Sequence, residues 1–306
     1  MDQAGARRLR EETDAFFKRI RTMNGKVIVP FGGKQSVGIP FYCVHSIGGV
    51  VADLYELANQ MGPGQQFYGI GSPMMYLTKE YGSWSVQDRA KYYVEELIKL
   101  QPTGSIALGG WSAGVTVALE MAHQLKDLRR EVVLLVAIDW MPPMFEIKLN
   151  SWRHALRSAH KVLLWIKKEK AVGNGSLWLL ARRALETTSV LTLRVLRRTK
   201  RSPLDDWGIR KKFSRTHGEF VESFYEQLEK YDRKKPYDGR VLAIVSETGP
   251  LFHLSTVKES WAKIANQLEV FCVKGAMHAT IMTMPHVGLV ARHLQERLNS
   301  IWRERH

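Results

Sequence analysis

Three side chains in this 306-residue chain have the types that nucleophilic acyl chemistry needs: Ser112, Asp139 and His278. Ser112 lies in Gly110-Trp111-Ser112-Ala113-Gly114. A bare G-x-S-x-G is weak, arising by chance in roughly one chain in ten of this length at ordinary Gly and Ser usage. Its surroundings strengthen it. "SIALGGW" reads as a strand that runs into the serine, and "AGVTVALEMAHQLKDL" reads as a helix that leaves it. A sharp strand-to-helix turn would push Oγ above the sheet edge and aim the first helical N–H groups at a developing oxyanion. The competing reading is a small residue in a tight turn. A serine hydroxyl is essentially never ionised at neutral pH, so the nucleophile reading requires a base within reach and a group orienting that base.

Asp139 closes the apolar run "EVVLLVAID". A carboxylate at the carboxyl end of a parallel strand sits on the ligand-binding edge of the sheet; the plainer alternative is a capping or turn aspartate. Of ten histidines, most have structural readings. His123 and His293 fall within helical patterns, and His154, His160 and His217 fall in a basic segment where they would be solvated. His45 follows the first core strand and could shape a loop there. His278, in "GAMHATIM", lies between a strand and the last helix. That position completes the chain order Ser…Asp…His, against the alternative of a structural loop histidine. Two backbone donors are expected to face the oxyanion, one from Ala113 and one from the loop "HSIGG", where Gly48 and Gly49 permit close approach.

The elements that must carry these residues alternate. "KVIVPFGG" and "IPFYCVHSIGG" read as strands, "VVADLYELANQM" as a helix, and "QFYGIG" as a short strand. "SVQDRAKYYVEELIKLQ" is a helix with Ser85 as N-cap. After Asp139, alternation stops until "GRVLAIVSE", helix "TVKESWAKIANQ", strand "LEVFCVKG" and helix "PHVGLVARHLQERLNSIW". Such a pattern predicts an α/β fold, a mostly parallel sheet with helices on both faces, interrupted by a helical insertion. The domains expected are an N-terminal amphipathic helix within 1–24, a core over 25–143 and 219–306, and the insertion over 144–218.

Charge is concentrated in that insertion. The chain carries +15, and residues 148–215 hold 18 Lys/Arg against 4 Asp/Glu. Three readings are open: steering of an acidic partner, peripheral contact with an anionic membrane, and plain solvation of helix faces. Nucleic acid is not expected, because the basic residues share their segment with long apolar helical faces and no established binding motif. Cys43 and Cys272 show no metal or disulfide spacing and read as reduced core thiols. The charged start of the chain lacks the apolar stretch of a signal peptide, and no apolar run is long enough to span a membrane, so a cytoplasmic location is expected.

The stretches "IVPFGG…IPFYCVHSIGG", "FYGIGSP", "GGWSAG", "IDWMPP", "YDRKKPYDGRV" and "GAMHATIM" resemble the thioesterase domains of non-ribosomal peptide and polyketide synthases. The resemblance implies an α/β-hydrolase fold with a helical lid. It implies Ser112 as nucleophile, Asp139 as acid, His278 as base, and the N–H groups of Ile47 and Ala113 as oxyanion donors. Other α/β-hydrolases place the acid after a later strand, which makes Glu247 the reserve acid. The implied substrate is a thioester on the phosphopantetheine of an acyl or peptidyl carrier protein, itself acidic, with no cofactor of the enzyme's own. Release would be by hydrolysis, cyclisation or transfer; a carboxylesterase, lipase or acyltransferase is the alternative, and a non-catalytic carrier-docking protein the remote one. With Met1 first and no carrier domain, a free-standing enzyme and an excised terminal domain are both open. Two positions depart from the family: Val115 replaces a third glycine, which would crowd helix against strand, and Ser46 follows His45 where the family has proline, which would loosen that loop.

Overall fold

The computed structural model describes residues 26–31, 38–73, 84–140, 215–232, 235–247 and 260–306. The expected helix within 1–24 and the insertion up to residue 214 lie outside them, as do His154 and His160. The described strands are β1 (Ile28–Pro30), β2 (Phe41–Val44), β3 (Phe67–Ile70), β4 (Ile106–Trp111), β5 (Val132–Ile138), β6 (Tyr237–Ser246) and β7 (Ala265–Val273). The described α-helices are α1 (Tyr55–Met61), α2 (Val86–Leu100), α3 (Gly114–Asp127), α4 (Arg215–Lys230) and α5 (His286–Arg305).

The strands form one sheet in the order β1-β3-β2-β4-β5-β6-β7. Every neighbouring pair is parallel except β1 with β3. Side chains of a strand alternate between faces, so a doubly covered strand must be apolar throughout. β5 shows this: Leu135 and Ala137 enter one core, Leu134, Val136 and Ile138 the other. The first core is closed by α2, α3 and α4, the second by α1 and α5.

Local signals explain the helices. Ser85 caps α2 through a reciprocal box, its Oγ accepting from Asp88 N at 3.1 Å while Asp88 Oδ2 accepts from Ser85 N at 3.2 Å. Phe220, Val221, Phe224, Tyr225 and Leu228 give α4 a buried stripe at helical spacing. This helix spans position 218, where the sequence reading divides insertion from core. Two expectations are corrected. Ala265–Gln267 belong to β7, not to a helix, since Tyr237 pairs with Ala265 and Arg240 with Gln267. Cys272 is exposed, because β7 is an edge strand whose outer positions face solvent; only Cys43 is a core thiol, and neither forms a disulfide.

His45 is fully buried. Desolvation pulls its pKa from 6.5 down to about 4, partly opposed by its bond to the Ser46 carbonyl, with the Arg89 charge lowering it further. Its Nδ1 donates to Ser46 O at 2.5 Å, so the neutral ring accepts at Nε2 from the Tyr93 hydroxyl at 2.8 Å. As pH falls, the unfolded chain takes this proton first. The contribution is therefore complete above about pH 6.5 and is lost progressively as pH falls toward 4, a change on the order of 3 kcal/mol. His45→Asn should flatten the decline in urea midpoint between pH 7 and pH 5. It should not abolish it, because burial also lowers His123.

Candidate active site

β4 delivers Ser112 at its carboxyl end in a left-handed conformation, φ 53°. Such a conformation costs a non-glycine residue roughly 1 kcal/mol or more. It is held by Ser112 N donating to Ile138 O at 2.9 Å, and by α3 starting at once, with Val115 N donating to Ser112 O at 3.0 Å. The flanking glycines are steric requirements. A Cβ on Gly110 would strike the Gly114 backbone, and one on Gly114 would lie 2.7 Å from the Val44 carbonyl and closer still to that of His45. Gly114→Ala is thus expected to push the loop after β2 away from the serine. Turnover should fall about 10²-fold, the scale of one lost oxyanion donor. The check is kcat beside a thermal midpoint that separates lost rate from lost fold.

The sheet order then places Asp139 and His278 beside the serine. β5 pairs with β4, Trp111 opposite Ile138, so Asp139 emerges one position beyond, with φ 51° and its N–H on Ile244 O at 2.7 Å. After β7, the His278 turn is tied by Thr280, whose Oγ1 accepts from Met277 N at 3.0 Å. His278 Nδ1 lies 2.8 Å from Asp139 Oδ2, and Nε2 lies 3.1 Å from Ser112 Oγ. A carboxylate only accepts, so Nδ1 carries the proton and Nε2 is free to accept from the serine. The Trp111 ring flanks the imidazole, centroids 6.2 Å apart.

Asp139 is 2% exposed. Burial opposes its ionisation, but hydrogen bonds from His278, the His278 charge, and the Ser246 N–H and hydroxyl outweigh it, leaving the carboxyl below its ordinary value. Ser246 N donates to Oδ1 at 2.8 Å, and Ser246 Oγ lies 2.9 Å from both oxygens. Ser246 escapes sequence reasoning: a serine closing an apolar strand carries no distinguishing pattern.

The structure thus brings Ser112, Asp139 and His278 together. It does not bring Glu247 to them. Glu247 is exposed and its Oε2 accepts from Gly275 N at 2.9 Å, which anchors the turn leading to His278. Asp139, the first candidate for the acid, is the carboxylate at His278 Nδ1; Glu247, the reserve candidate, is bonded to Gly275 N instead. Ile47 lies in the loop after β2, and Ala113 is the N-cap of α3. Neither N–H donates to any described backbone carbonyl. Nor does Ser46 loosen its loop: Oγ donates to Asp53 Oδ2 at 2.8 Å, and its carbonyl accepts from Gly49 N at 3.0 Å. Val115 is buried in the core between α3 and the sheet. His217 is not simply solvated, since its Nε2 lies 2.6 Å from Gly48 O.

Among the described residues no helix is long and apolar enough to cross a membrane. Comparison with solved structures returns the same architecture. The NocB thioesterase domain, seen in covalent complex with a fluorophosphonate nocardicin G analog, aligns with TM-score 0.58 at 19% identity over 89% of this chain and 100% of that one. The SrfTE thioesterase domain, described for cyclization of the lipopeptide antibiotic surfactin, aligns with TM-score 0.53 at 16% identity over 90% and 96%. Identities this low speak for the fold, an α/β-hydrolase-type parallel sheet.

Sequence relatives include the non-reducing polyketide synthase Dhc5 of Alternaria cinerariae, 36% identical over 134 residues, which are 41% of this chain and 6% of that protein. The probable thioesterase gloN of Glarea lozoyensis is 35% identical over 101 residues, 33% of this chain and 34% of gloN. The chain thus spans a small fraction of the synthases it matches. A family model described as Thioesterase domain matches residues 39–298, covering nearly all described elements from β2 to α5. On that match, the chain belongs to the thioesterase domain family found in polyketide and non-ribosomal peptide synthases.

Proposed function

We propose that this chain is a serine thioesterase that releases an acyl, polyketide or peptidyl chain from the phosphopantetheine arm of a carrier protein, through an ester on Ser112. The observation that carries this reading is the continuous hydrogen-bond chain Asp139–His278–Ser112, at 2.8 and 3.1 Å. Asp139 stays ionised and keeps the proton on Nδ1. His278 Nε2 takes the Ser112 proton as Oγ attacks the thioester carbonyl carbon. The carbonyl oxygen becomes an oxyanion facing the N–H groups of Ile47 and Ala113. As the C–S bond breaks, His278 returns the proton to the departing thiolate, leaving acyl-Ser112 and a free thiol. Water, or an amine or hydroxyl of the chain itself, then repeats the sequence and restores the serine.

The carrier is the natural donor for a family member of this kind. The basic stretch 148–215 supports attraction of an acidic one. The test is intact-protein mass after rapid quenching with a set of acyl-pantetheine thioesters. A mass gain equal to the acyl group, mapped to Ser112, is expected. Faster turnover of an oxygen ester than of the thioester with the same acyl group would move the chain to the esterase reading.

A further inference from the structure

The loop His45–Gly49 is held by several hydrogen bonds, and their pattern has a direction. His217 Nε2, on α4, lies 2.6 Å from the Gly48 carbonyl. A carbonyl only accepts, so Nε2 donates. Gly48 C=O and Gly49 N–H are opposite ends of one planar peptide. That N–H donates to the Ser46 carbonyl at 3.0 Å. Ser46 C=O and Ile47 N–H are again opposite ends of one peptide, and the Ile47 N–H donates to no described backbone carbonyl. Three N–H groups therefore line up head to tail, from an imidazole through two peptide planes to a free donor.

Other bonds hold the relay in place. The Ser46 carbonyl also accepts from His45 Nδ1 at 2.5 Å, and Gly49 O accepts from Ser72 N at 2.9 Å. Ser46 Oγ binds Asp53 at 2.8 Å and accepts from Gly48 N at 3.4 Å. These contacts supply the rigidity that a proline at 46 would otherwise give by fixing φ. Phe220, one turn along α4 from His217, lies against the same loop: a Cβ on Gly49 would be 3.0 Å from its ring.

We propose that His217 is a positioning residue of the oxyanion hole. Through the 48–49 and 46–47 peptides it fixes the direction of the Ile47 N–H, and each bond in the series polarises the next. The helix that follows the basic segment thereby reaches the reacting oxygen without touching substrate. This inference rests on Ser112 being the nucleophile and Ile47 its oxyanion donor.

The test uses a fluorophosphonate–biotin probe on the full chain, because its P=O oxygen occupies the same place as a thioester oxyanion. Wild type must first be labelled at Ser112; absence of that label removes the reading on which the inference stands and is scored separately. His217→Leu is then expected to lower the limiting labelling rate about 10²-fold, the scale of an impaired oxyanion donor, with the probe's apparent binding constant unchanged. His217→Gln, which retains an N–H donor, should keep most of the rate. Octanoyl-pantetheine should show the same split, kcat falling while KM holds. Should the leucine variant fail to fold, His217→Glu replaces it, since at pH 8 its carboxylate faces the Gly48 carbonyl as acceptor against acceptor. Labelling at the wild-type rate in His217→Leu or His217→Glu overturns the proposal. So does a weaker binding constant at an unchanged limiting rate, or equal losses in His217→Gln and the donor-lacking variant.

Discussion

Ser112→Ala is expected to lower turnover of an acyl-pantetheine thioester by about 10⁶-fold, the scale on which removing a triad nucleophile acts. Everything else in the site would stay in place. His278 keeps its 2.8 Å bond to Asp139, and the loop around Ile47 keeps its own partners. The loss should therefore fall on kcat, with the thermal midpoint nearly unmoved. Fluorophosphonate labelling should disappear together with the activity. Ser112→Gly sharpens the result. Glycine takes φ 53° without strain, worth roughly 1 kcal/mol, so this variant should be equally dead yet no less stable than Ser112→Ala. An inactive protein that keeps its stability locates the defect in chemistry. An alanine variant turning over at the wild-type rate would end the acyl-enzyme reading.

Ser112 and Asp139 were legible in the sequence because each sits where an apolar strand stops. A strand buried on both faces is written as an unbroken apolar run, so its end is sharp: Ser112 after "SIALGGW", Asp139 after "EVVLLVAI". The sheet order β4-β5-β6-β7 then places those ends side by side, although 166 residues separate Ser112 from His278. What stayed hidden depends on exposure or on partners remote in sequence. "LEVFCV" looks like a core strand, but as the edge strand β7 it exposes Cys272 and leaves Val270 41% exposed. Ser246 becomes informative only once β6 lies beside β5. His217 sits in a run dense in Lys and Arg, which favours a solvated reading, and its contact with Gly48 spans 169 residues. Ser46 reads as a lost proline until Asp53, seven residues on, is seen to hold it.

The choice between two carboxylates yields the sharpest further expectation. Asp139→Asn should cost about 10⁴ in kcat, because an amide can offer N–H to the imidazole and so favours the tautomer whose proton faces the serine. Glu247→Gln should stay within about threefold, since its amide oxygen can still accept from Gly275 N and the residue touches neither Ser112 nor His278 through any bond that defines the site. The Asp139 effect also carries a pH signature. Its folded carboxyl lies below the ordinary value of 3.8, so the stabilisation it contributes is complete above that pH and is lost only as pH falls through the folded value. Between pH 6 and 9 the wild-type carboxylate is therefore constant. A full-size loss in Glu247→Gln with little in Asp139→Asn would transfer the role of acid to the end of β6 and require the His278 turn to rearrange before it could act.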